Sequence, residues 1–149
     1  MKFLIQVVNK AKVSVNNVIT GKINKGFLVF IGISHSDTKE IADKMVKKMS
    51  GLRIFSDENG KTNLALKDVC GELLLVSQFT LYADCKHGNR PGFTNAAGSE
   101  QANELYNYII DKSKENVQIV ETGVFGADMK VELINDGPFT IILNSDEIL

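Results

Sequence analysis

GFLVFIGIS, from Gly26 to Ser34, is a continuous apolar run, and the fold of the chain can be worked out from it. A run without polar alternation is typical of a strand that is buried on both faces. The next segment, SDTKEIADKMVKKMSG, has apolar residues at helical spacing, namely Ile41, Met45 and Met49. Asp37, with Glu40 three residues later, predicts the start of this amphipathic helix, and Gly51 predicts its end. A buried strand followed by an amphipathic helix indicates a layered α/β domain.

Strand patterns lie on both sides of this unit. KFLIQVV (Lys2–Val8) and KVSV (Lys12–Val15) predict two strands of a hairpin. RIF (Arg53–Phe55) predicts a short strand before a turn at Asn59-Gly60, where Asp57 and Glu58 fit turn chemistry better than catalysis. The predicted strands that follow along the chain are GELLLV from Gly71, then VQIVE, DMKVELI and PFTIIL.

A second helix is predicted from about Ser99 to Asn116, and its buried stripe consists of Ala102, Leu105, Tyr106, Ile109 and Ile110. The element order is therefore β-β-β-α-β-β-α-β-β-β. Helices are too few for a doubly wound sheet, and many strands follow one another as hairpins. The sequence predicts one α/β domain over residues 1–149, layered α/β/β, with mixed, largely antiparallel sheets and the two main helices on one side.

Composition limits the classes of function. The net charge of −1 and the pI of about 6.1 argue against a protein that coats nucleic acid, but not against one that touches only an RNA end. No apolar run approaches the roughly 20 residues of a membrane helix, and the first residues lack the pattern of a signal peptide, so we expect a cytoplasmic protein. Cys70 and Cys85 form no CxxC pair, and His35 and His87 are not at ligand spacing, so neither a metal nor another cofactor is expected.

SQFTL, from Ser77 to Leu81, puts two hydroxyls and an amide at the end of a buried strand, where ligand sites commonly form. Hydroxyls that cap the next turn would explain the same residues. A nucleophilic Ser77 or Thr80 would need a base within reach, and nothing in the sequence orients His87 for that role. Hydroxyls and backbone N–H groups that bind a developing oxyanion fit these residues better.

Two loops contain further candidates. In HGNRPGFTNAA, Arg90 could pair with a phosphate or with a carboxylate of the fold, and the sequence leaves both open. In NDGPFT (Asn135–Thr140), Pro138 has no N–H to donate, which predicts a strand start, an edge or a bulge. The Gly137-Pro138 bond is a candidate for cis geometry. A simple hairpin turn is the alternative for this segment.

SQFTL and NDGPFT together resemble the two signature motifs of D-aminoacyl-tRNA deacylases, also called D-tyrosyl-tRNA deacylases. The resemblance covers essentially the whole chain, including LIQVV, GFLVFIGI, RIFSDENGK, RPGF (Arg90–Phe93) and TGVFGADMKV from Thr122. Each motif alone is weak. Two signatures at this spacing, in a chain of this length and without a departure at a signature position, identify the family strongly.

The resemblance implies a homodimer that hydrolyses the ester between a D-amino acid and tRNA, and that also clears glycine attached to tRNA for alanine. It implies that Gly137 and Pro138 form a cis pair that enters the active site of the other subunit. The pocket floor would be formed by Ser77, Gln78, Phe79 and Thr80. Phe125 and Met129 would hold the terminal adenosine of the CCA end, and Arg90, Lys86 and some helix lysines would contact phosphates.

This arrangement gives a physical basis for chirality. Two aligned carbonyl oxygens can bind the protonated α-amino group, after which a D side chain points to solvent and an L side chain collides with backbone. Positioning, an oxyanion hole at the N–H of Phe79 or Thr80, and the 2′-hydroxyl of the substrate would then suffice for hydrolysis. Thr80 as nucleophile is the fallback mechanism. A non-catalytic module that binds an RNA end is the competing function.

Overall fold

The computed structural model describes residues Met1–Leu149 and contains eight strands, three α-helices and two 3-10 turns. The strands are β1 (Lys2–Val15), β2 (Val18–Ile23), β3 (Gly26–Gly32), β4 (Phe55–Ser56), β5 (Thr62–Leu64), β6 (Glu72–Ser77), β7 (Val120–Thr122) and β8 (Lys130–Asn144). The helices are α1 (Lys39–Ser50), α2 (Ser99–Lys114) and α3 (Ser145–Ile148), and the 3-10 turns are Leu66–Val69 and Phe79–Tyr82. No helix has the length and apolar character that crossing a membrane requires.

Six strands form one mixed sheet in the order β2-β1-β3-β6-β7, with β8 along the other edge of β1. The β3–β6 and β6–β7 pairs are parallel, and the pairs made by β1 are antiparallel. One edge of β1 pairs with β8 over most of its length, while the other edge pairs first with β3 and then with β2. The long strands β1 and β8 therefore connect two parts of the sheet, and β4 with β5 forms a separate hairpin.

The layers follow from the alternation of side chains along the buried strands. Phe27, Val29 and Ile31 of β3 pack in the same core cluster as the buried faces of α1 and α2. Leu28 points to the opposite face and packs in a second cluster with Val13 of β1, and the other members are Val8, Ala11, Ile23, Leu74 and Val76. The part of the sheet made by β2 and the second half of β1 thus folds over β3 and β6. The predicted α/β/β class, with both main helices on one side, is confirmed.

The first hairpin lies later in the chain than we expected. Lys2–Val15 is one strand, and the turn is Asn16-Asn17, which joins β1 to β2 with Val15 paired to Val18. Both turn residues have positive φ, 49° and 64°, which Asn tolerates better than most residues and which a two-residue hairpin requires. The segment between the two expected strands contains no such pair. The prediction of two strands here was wrong, and β2 was missed.

The start of α1 also differs from the prediction. Thr38, not Asp37, is the N-cap, and its hydroxyl accepts a hydrogen bond from the N–H of Ile41 at 3.4 Å. Asp37 is buried instead, where its carboxylate accepts from the N–H of Ser34 at 2.7 Å and from the amino group of Met1 at 2.6 Å. The helix ends at Gly51 as predicted. The buried stripe predicted for α2 is confirmed residue by residue.

Other element boundaries changed in the short strands. The predicted RIF strand is limited to Phe55–Ser56, and its partner β5 was missed because TNL is short and polar. The VQIVE strand begins only at Val120, where it pairs with Leu73. DMKVELI and PFTIIL are not separate strands, because β8 continues from Lys130 to Asn144 on both sides of Gly137-Pro138.

Candidate active site

A cavity of about 510 Å³ opens where the parallel strands β3 and β6 end. Ile31 pairs with Ser77 at the last position of this pair. The cavity brings together five of the residues predicted from the sequence, which are Ser77, Gln78, Phe79, Phe125 and Met129. The first turn of α2 closes another side through Ser99 and Ala102. Residues that are far apart in the chain thus form a single pocket at the carboxyl ends of strands, as expected for this type of sheet.

The pocket floor is made by the chain as it leaves β6. The N–H of Gln78 donates to the carbonyl of Ile31 at 2.8 Å, and the backbone then enters the 3-10 turn Phe79–Tyr82. The N–H of Ala83 closes this turn on the carbonyl of Thr80 at 3.0 Å. The first amides of a helical turn have no partner within the turn, so the N–H groups of Phe79 and Thr80 are suitable donors to an oxyanion.

No activated nucleophile is assembled at the floor. The hydroxyl of Thr80 contacts the side-chain amide of Gln78, and neither Ser77 nor Thr80 forms a hydrogen bond with a histidine or a carboxylate. His87 lies in an exposed loop without a side-chain hydrogen bond. A hydroxyl nucleophile needs a base within about 2.6–3.2 Å, and the chain places none there. No group of three or more His, Cys, Asp or Glu that could hold a metal occurs in the chain.

The opposite wall is fixed by buried neighbours. Phe125 packs on Tyr106 with ring centroids 5.9 Å apart, and the Tyr106 hydroxyl donates to the carbonyl of Leu75 at 2.8 Å. Burial raises the pKa of Tyr106 to about 12, so the hydroxyl keeps its proton and remains a donor. Met129 lies directly over Gly123, where an added Cβ would stand 2.5 Å from its sulfur. Gly123 therefore allows Met129 to occupy this wall.

Two polar residues that line the cavity were not predicted as site residues from the sequence. Ser99 is the first residue of α2, and Asp128 forms an ion pair with Lys130 at 3.0 Å. Asp128 lies between Phe125 and Met129 in the motif VFGADM, so that motif could have indicated it. Ser99 follows a glycine at a helix start, a position where serine is common, and no signal in the sequence distinguishes it.

Arg90 and Thr80 do not line the cavity. Arg90 is exposed near the tip of a loop that is closed by two backbone hydrogen bonds between Asp84 and Gly92, at 2.8 and 2.9 Å, and it forms no ion pair. The same loop brings Phe93 against Phe79, edge to face, with ring centroids 5.0 Å apart. Phe79 is still 54% exposed. The roles predicted for Arg90 and Thr80 stay predictions.

Gly137 and Pro138 form the tip of a bulge on β8. Asn135 pairs with Val8 and Thr140 pairs with Gln6, so the residues from Asp136 to Phe139 stand opposite Val7 alone. The bulge is one of the positions predicted for Pro138. The Gly137-Pro138 peptide bond is cis, Gly137 has a φ of +131°, and both residues are exposed.

The side chain of Asn135 closes the base of this bulge. Its Nδ2 donates to the carbonyls of Val7 and Phe139, each at 3.0 Å. These two bonds occupy carbonyl groups that the interrupted ladder would otherwise leave without a partner. Asn135 was seen in the sequence only as a turn former, and the structure assigns it this bracing position.

The bulge and the cavity lie far apart within one chain. The bulge lies opposite Val7 of β1. Across the sheet, Val7 pairs with Phe27 of β3, and Phe27 pairs with Leu73 of β6. The pocket floor begins at Ser77, four residues after Leu73 along β6. Four residues along the strand and three strand spacings across the sheet correspond to roughly 20 Å. The Gly-Pro pair does not line the cavity of its own chain.

Comparisons with known proteins agree with this fold. The family model for D-Tyr-tRNA(Tyr) deacylase matches residues 4–144. A D-aminoacyl-tRNA deacylase of Clostridium perfringens (strain SM101 / Type A) is 53% identical over 145 residues, 97% of each chain. A D-aminoacyl-tRNA deacylase of Clostridioides difficile (strain 630) is 52% identical over 147 residues, 99% of each chain.

Two solved structures are also similar. The c-Myc DNA Unwinding Element Binding Protein is 39% identical with a TM-score of 0.92, over 97% of this chain and 98% of that one. A probable eukaryotic D-amino acid tRNA deacylase is 17% identical with a TM-score of 0.85, over 95% of this chain and 97% of that one, which shows the fold alone.

The fold and these matches define a hydrolase that removes an aminoacyl group from tRNA. The chain belongs to the D-Tyr-tRNA(Tyr) deacylase family, and its activity is that of a D-aminoacyl-tRNA deacylase. The family and the enzyme class predicted from SQFTL and NDGPFT are confirmed.

Proposed function

We propose that the cavity at the ends of β3 and β6 receives the 3′ end of D-aminoacyl-tRNA and that two copies of the chain build each active site. The same site accepts glycine attached to alanine tRNA, and the enzyme acts in the cytoplasm, where aminoacyl-tRNA is used. The observation that carries this proposal is the separation of roughly 20 Å between the Gly137-Pro138 bulge and the cavity of its own chain.

In this proposal the bulge serves the cavity of a partner subunit. Homodimers are usually two-fold symmetric, so a bulge that enters the partner's cavity implies that the partner's bulge enters this one. The segment is suited to insertion because its tip is exposed and Gly137 has no side chain to keep the substrate away. The two bonds from Asn135 hold the base of the bulge in place.

The bulge then selects the amino acid by its configuration. Exposed backbone carbonyls at the tip accept hydrogen bonds from the protonated α-amino group, and donors of the floor fix the scissile carbonyl. With both groups placed, a D side chain projects to solvent while an L side chain meets backbone. Glycine has no side chain that could collide with the backbone, so glycyl-tRNA is accepted as well. Specificity arises from exclusion of the wrong isomer, so many D side chains are accepted.

Hydrolysis in this site needs little from side chains. An aminoacyl ester is already reactive, and the N–H of Phe79 or Thr80 stabilises the oxyanion that forms at its carbonyl. In this proposal the 2′-hydroxyl of the terminal adenosine helps to activate water. Neither Ser77 nor Thr80 contacts a histidine or a carboxylate that would take this role. Ser77 and Gln78 position the ester, and Thr80 supports Gln78 through their side-chain contact.

The terminal adenosine lies against the opposite wall. Phe125 and Met129 present an aromatic ring and a polarisable sulfur to the cavity, which suits the flat face of a base. Both are held from behind, by Tyr106 and by the close approach over Gly123. Arg90 and Lys86 are exposed in the neighbouring loop and contact phosphates of the CCA end.

The direct test compares three substrates. Purified protein is incubated with D-Tyr-tRNA, with L-Tyr-tRNA and with alanine tRNA that carries glycine, and loss of the ester is followed over time. We expect loss of the D-tyrosyl and glycyl esters while the L-tyrosyl ester decays at its uncatalysed rate. Release of L-tyrosine at a comparable rate would contradict selection by configuration. Binding of tRNA without loss of any ester would support the competing function, a module that only binds an RNA end.

A further inference from the structure

Five cations without a carboxylate partner gather at the C-terminal half of α1 and beyond it. Lys44, Lys47, Lys48 and Arg53 line a groove of about 420 Å³. Lys47 and Arg53 also line an adjoining groove of about 850 Å³, which includes Lys67. All five side chains are exposed, and none takes part in any of the ion pairs of the chain. We refer to these five residues as the basic face.

The carboxylates beside the basic face are already engaged. Asp43 accepts a hydrogen bond from the hydroxyl of Tyr108 at 2.8 Å, and Asp68 accepts one from the N–H of Ala65 at 2.8 Å. Glu115 pairs with Lys112 at 3.0 Å. With Lys112, the two grooves are lined by six cations and only three side-chain carboxylates, which leaves a local excess of positive charge although the whole chain has a net charge of −1. Such an excess attracts a polyanion.

The distance of the basic face from the cavity indicates which part of a bound RNA could reach it. The cavity lies against the first turn of α2, and Gln101 of α2 donates to the carbonyls of His35 and Asp37 just before α1, at 3.1 and 3.4 Å. The basic face lies at the other end of α1, whose 12 residues span about 18 Å. A group in the cavity and a group on the basic face thus belong to different parts of one large ligand.

We propose that the basic face binds the phosphate backbone of the acceptor stem of tRNA while the 3′ end occupies the cavity. The inference rests on the proposed function, because only a substrate that extends well beyond its reactive end can contact both. Lysine on a helix surface suits this role, since each ammonium group neutralises a phosphate without reading the base sequence. Hydrolysis would then gain affinity from the tRNA body that the cavity alone does not supply.

The test uses one triple variant, one matched control and two substrates. In the first variant Lys44, Lys47 and Lys48 are each changed to Gln, which keeps the helix propensity close to that of Lys. In the control Lys10, Lys22 and Lys25, three exposed lysines that line neither groove of the basic face, are changed to Gln. The substrates are D-Tyr-tRNA and the D-tyrosyl ester of the trinucleotide CCA.

We expect kcat/KM for D-Tyr-tRNA to fall by roughly tenfold or more in the first variant. In a plot of log kcat/KM against log salt concentration, the slope should become less steep by about 0.7–0.9 for each lost phosphate contact. Hydrolysis of the CCA ester should not change, and the control should behave like the wild type. An unchanged rate on D-Tyr-tRNA, or an equal loss in the control, would overturn the basic face as a tRNA surface.

Binding of uncharged tRNA separates this inference from the proposed function. If the wild type hydrolysed neither ester, the proposed function would fail, but weaker tRNA binding by the first variant alone would still support the basic face. Equal tRNA binding by the wild type and both variants would overturn the basic face whatever the activity.

Discussion

At the scale of single residues, the role of the Thr80 hydroxyl distinguishes two possible mechanisms of hydrolysis. Its hydroxyl contacts only the amide of Gln78, and no base reaches it. A covalent mechanism would require an activated hydroxyl, whereas a mechanism based on backbone donors would not.

We therefore predict that Thr80→Ala retains activity on D-Tyr-tRNA, with a loss of no more than about tenfold that results from poorer placement of Gln78. Removal of a nucleophile that acts as part of a catalytic unit would lower kcat far more. The measurement is kcat under saturating substrate. Thr80→Ser is the control that keeps the hydroxyl. A Thr80→Ala protein that binds D-Tyr-tRNA normally but no longer hydrolyses it would restore Thr80 as the nucleophile.

Tyr106 gives a prediction that depends on pH. Its pKa is about 12 in the folded protein and about 10 in the unfolded chain, so the folded state holds the proton more tightly. The stabilisation is fully present below pH 10 and is lost as the pH rises from 10 to 12, by an amount on the order of 2–3 kcal/mol. The free energy of unfolding is measured for the wild type and for Tyr106→Phe across this range. The difference between the two proteins should move in favour of Tyr106→Phe above pH 10, and a constant difference would contradict the burial argument.

Single residues also show how far the sequence could be interpreted. Ser77, Gln78 and Phe79 line the cavity, and the sequence indicated a site there because they end a buried strand. Ser99 was missed because its only local signal is that of a helix start. The bracing role of Asn135 was missed because its partners include Val7, which is 128 residues away in the chain.

At the scale of elements, β8 contains the bulge on which the proposed shared site depends. It pairs with β1 over most of its length, leaves the ladder from Asp136 to Phe139, and has one further irregularity opposite Asn9. At this interruption the side chain of Asn135 donates hydrogen bonds to the carbonyls of Val7 and Phe139 and so replaces ladder bonds that are lost. The bulge is therefore a defined part of the sheet rather than a turn between two strands.

Asn135→Asp should lower kcat/KM on D-Tyr-tRNA by roughly 10- to 100-fold, because loss of a donor to a partly buried carbonyl costs about 1–3 kcal/mol and the bulge is no longer held. Asp has the same shape as Asn but no N–H to donate. The matched control is Thr140→Val, which removes an exposed contact with Gln6 at the same ladder. If Asn135→Asp had wild-type activity, the bracing of the bulge would have no part in catalysis.

Element boundaries were predictable where local chemistry is strong. The end of α1 at Gly51 and the buried stripe of α2 follow from helical spacing and capping. The length of β1 could not be predicted from local sequence, because the continuity of this strand depends on its pairing with β8 from the far end of the chain. Strand content was recognisable from composition, but strand partners were not.

At the scale of the whole molecule, the three layers leave the cavity and the bulge on different parts of one sheet. The fold class could be predicted because β3, α1 and α2 have strong patterns. The separation of roughly 20 Å between the two signature motifs could not, since it depends on the register of β8, β1, β3 and β6. That register is what favours a site built by two subunits.

The most direct test of a shared site is complementation between two inactive variants. Gly137→Val disables the bulge, because a β-branched residue is disfavoured at a φ of +131°. Ala127→Phe fills the cavity that Ala127 lines. We expect each homodimer to be inactive on D-Tyr-tRNA, and each variant to sediment as a dimer. After the two are mixed in equal amounts and allowed to exchange subunits, about one quarter of the wild-type activity should return, because half of the dimers are mixed and each has one intact site. No recovery in a mixture shown to contain mixed dimers would contradict a site completed by the partner's bulge.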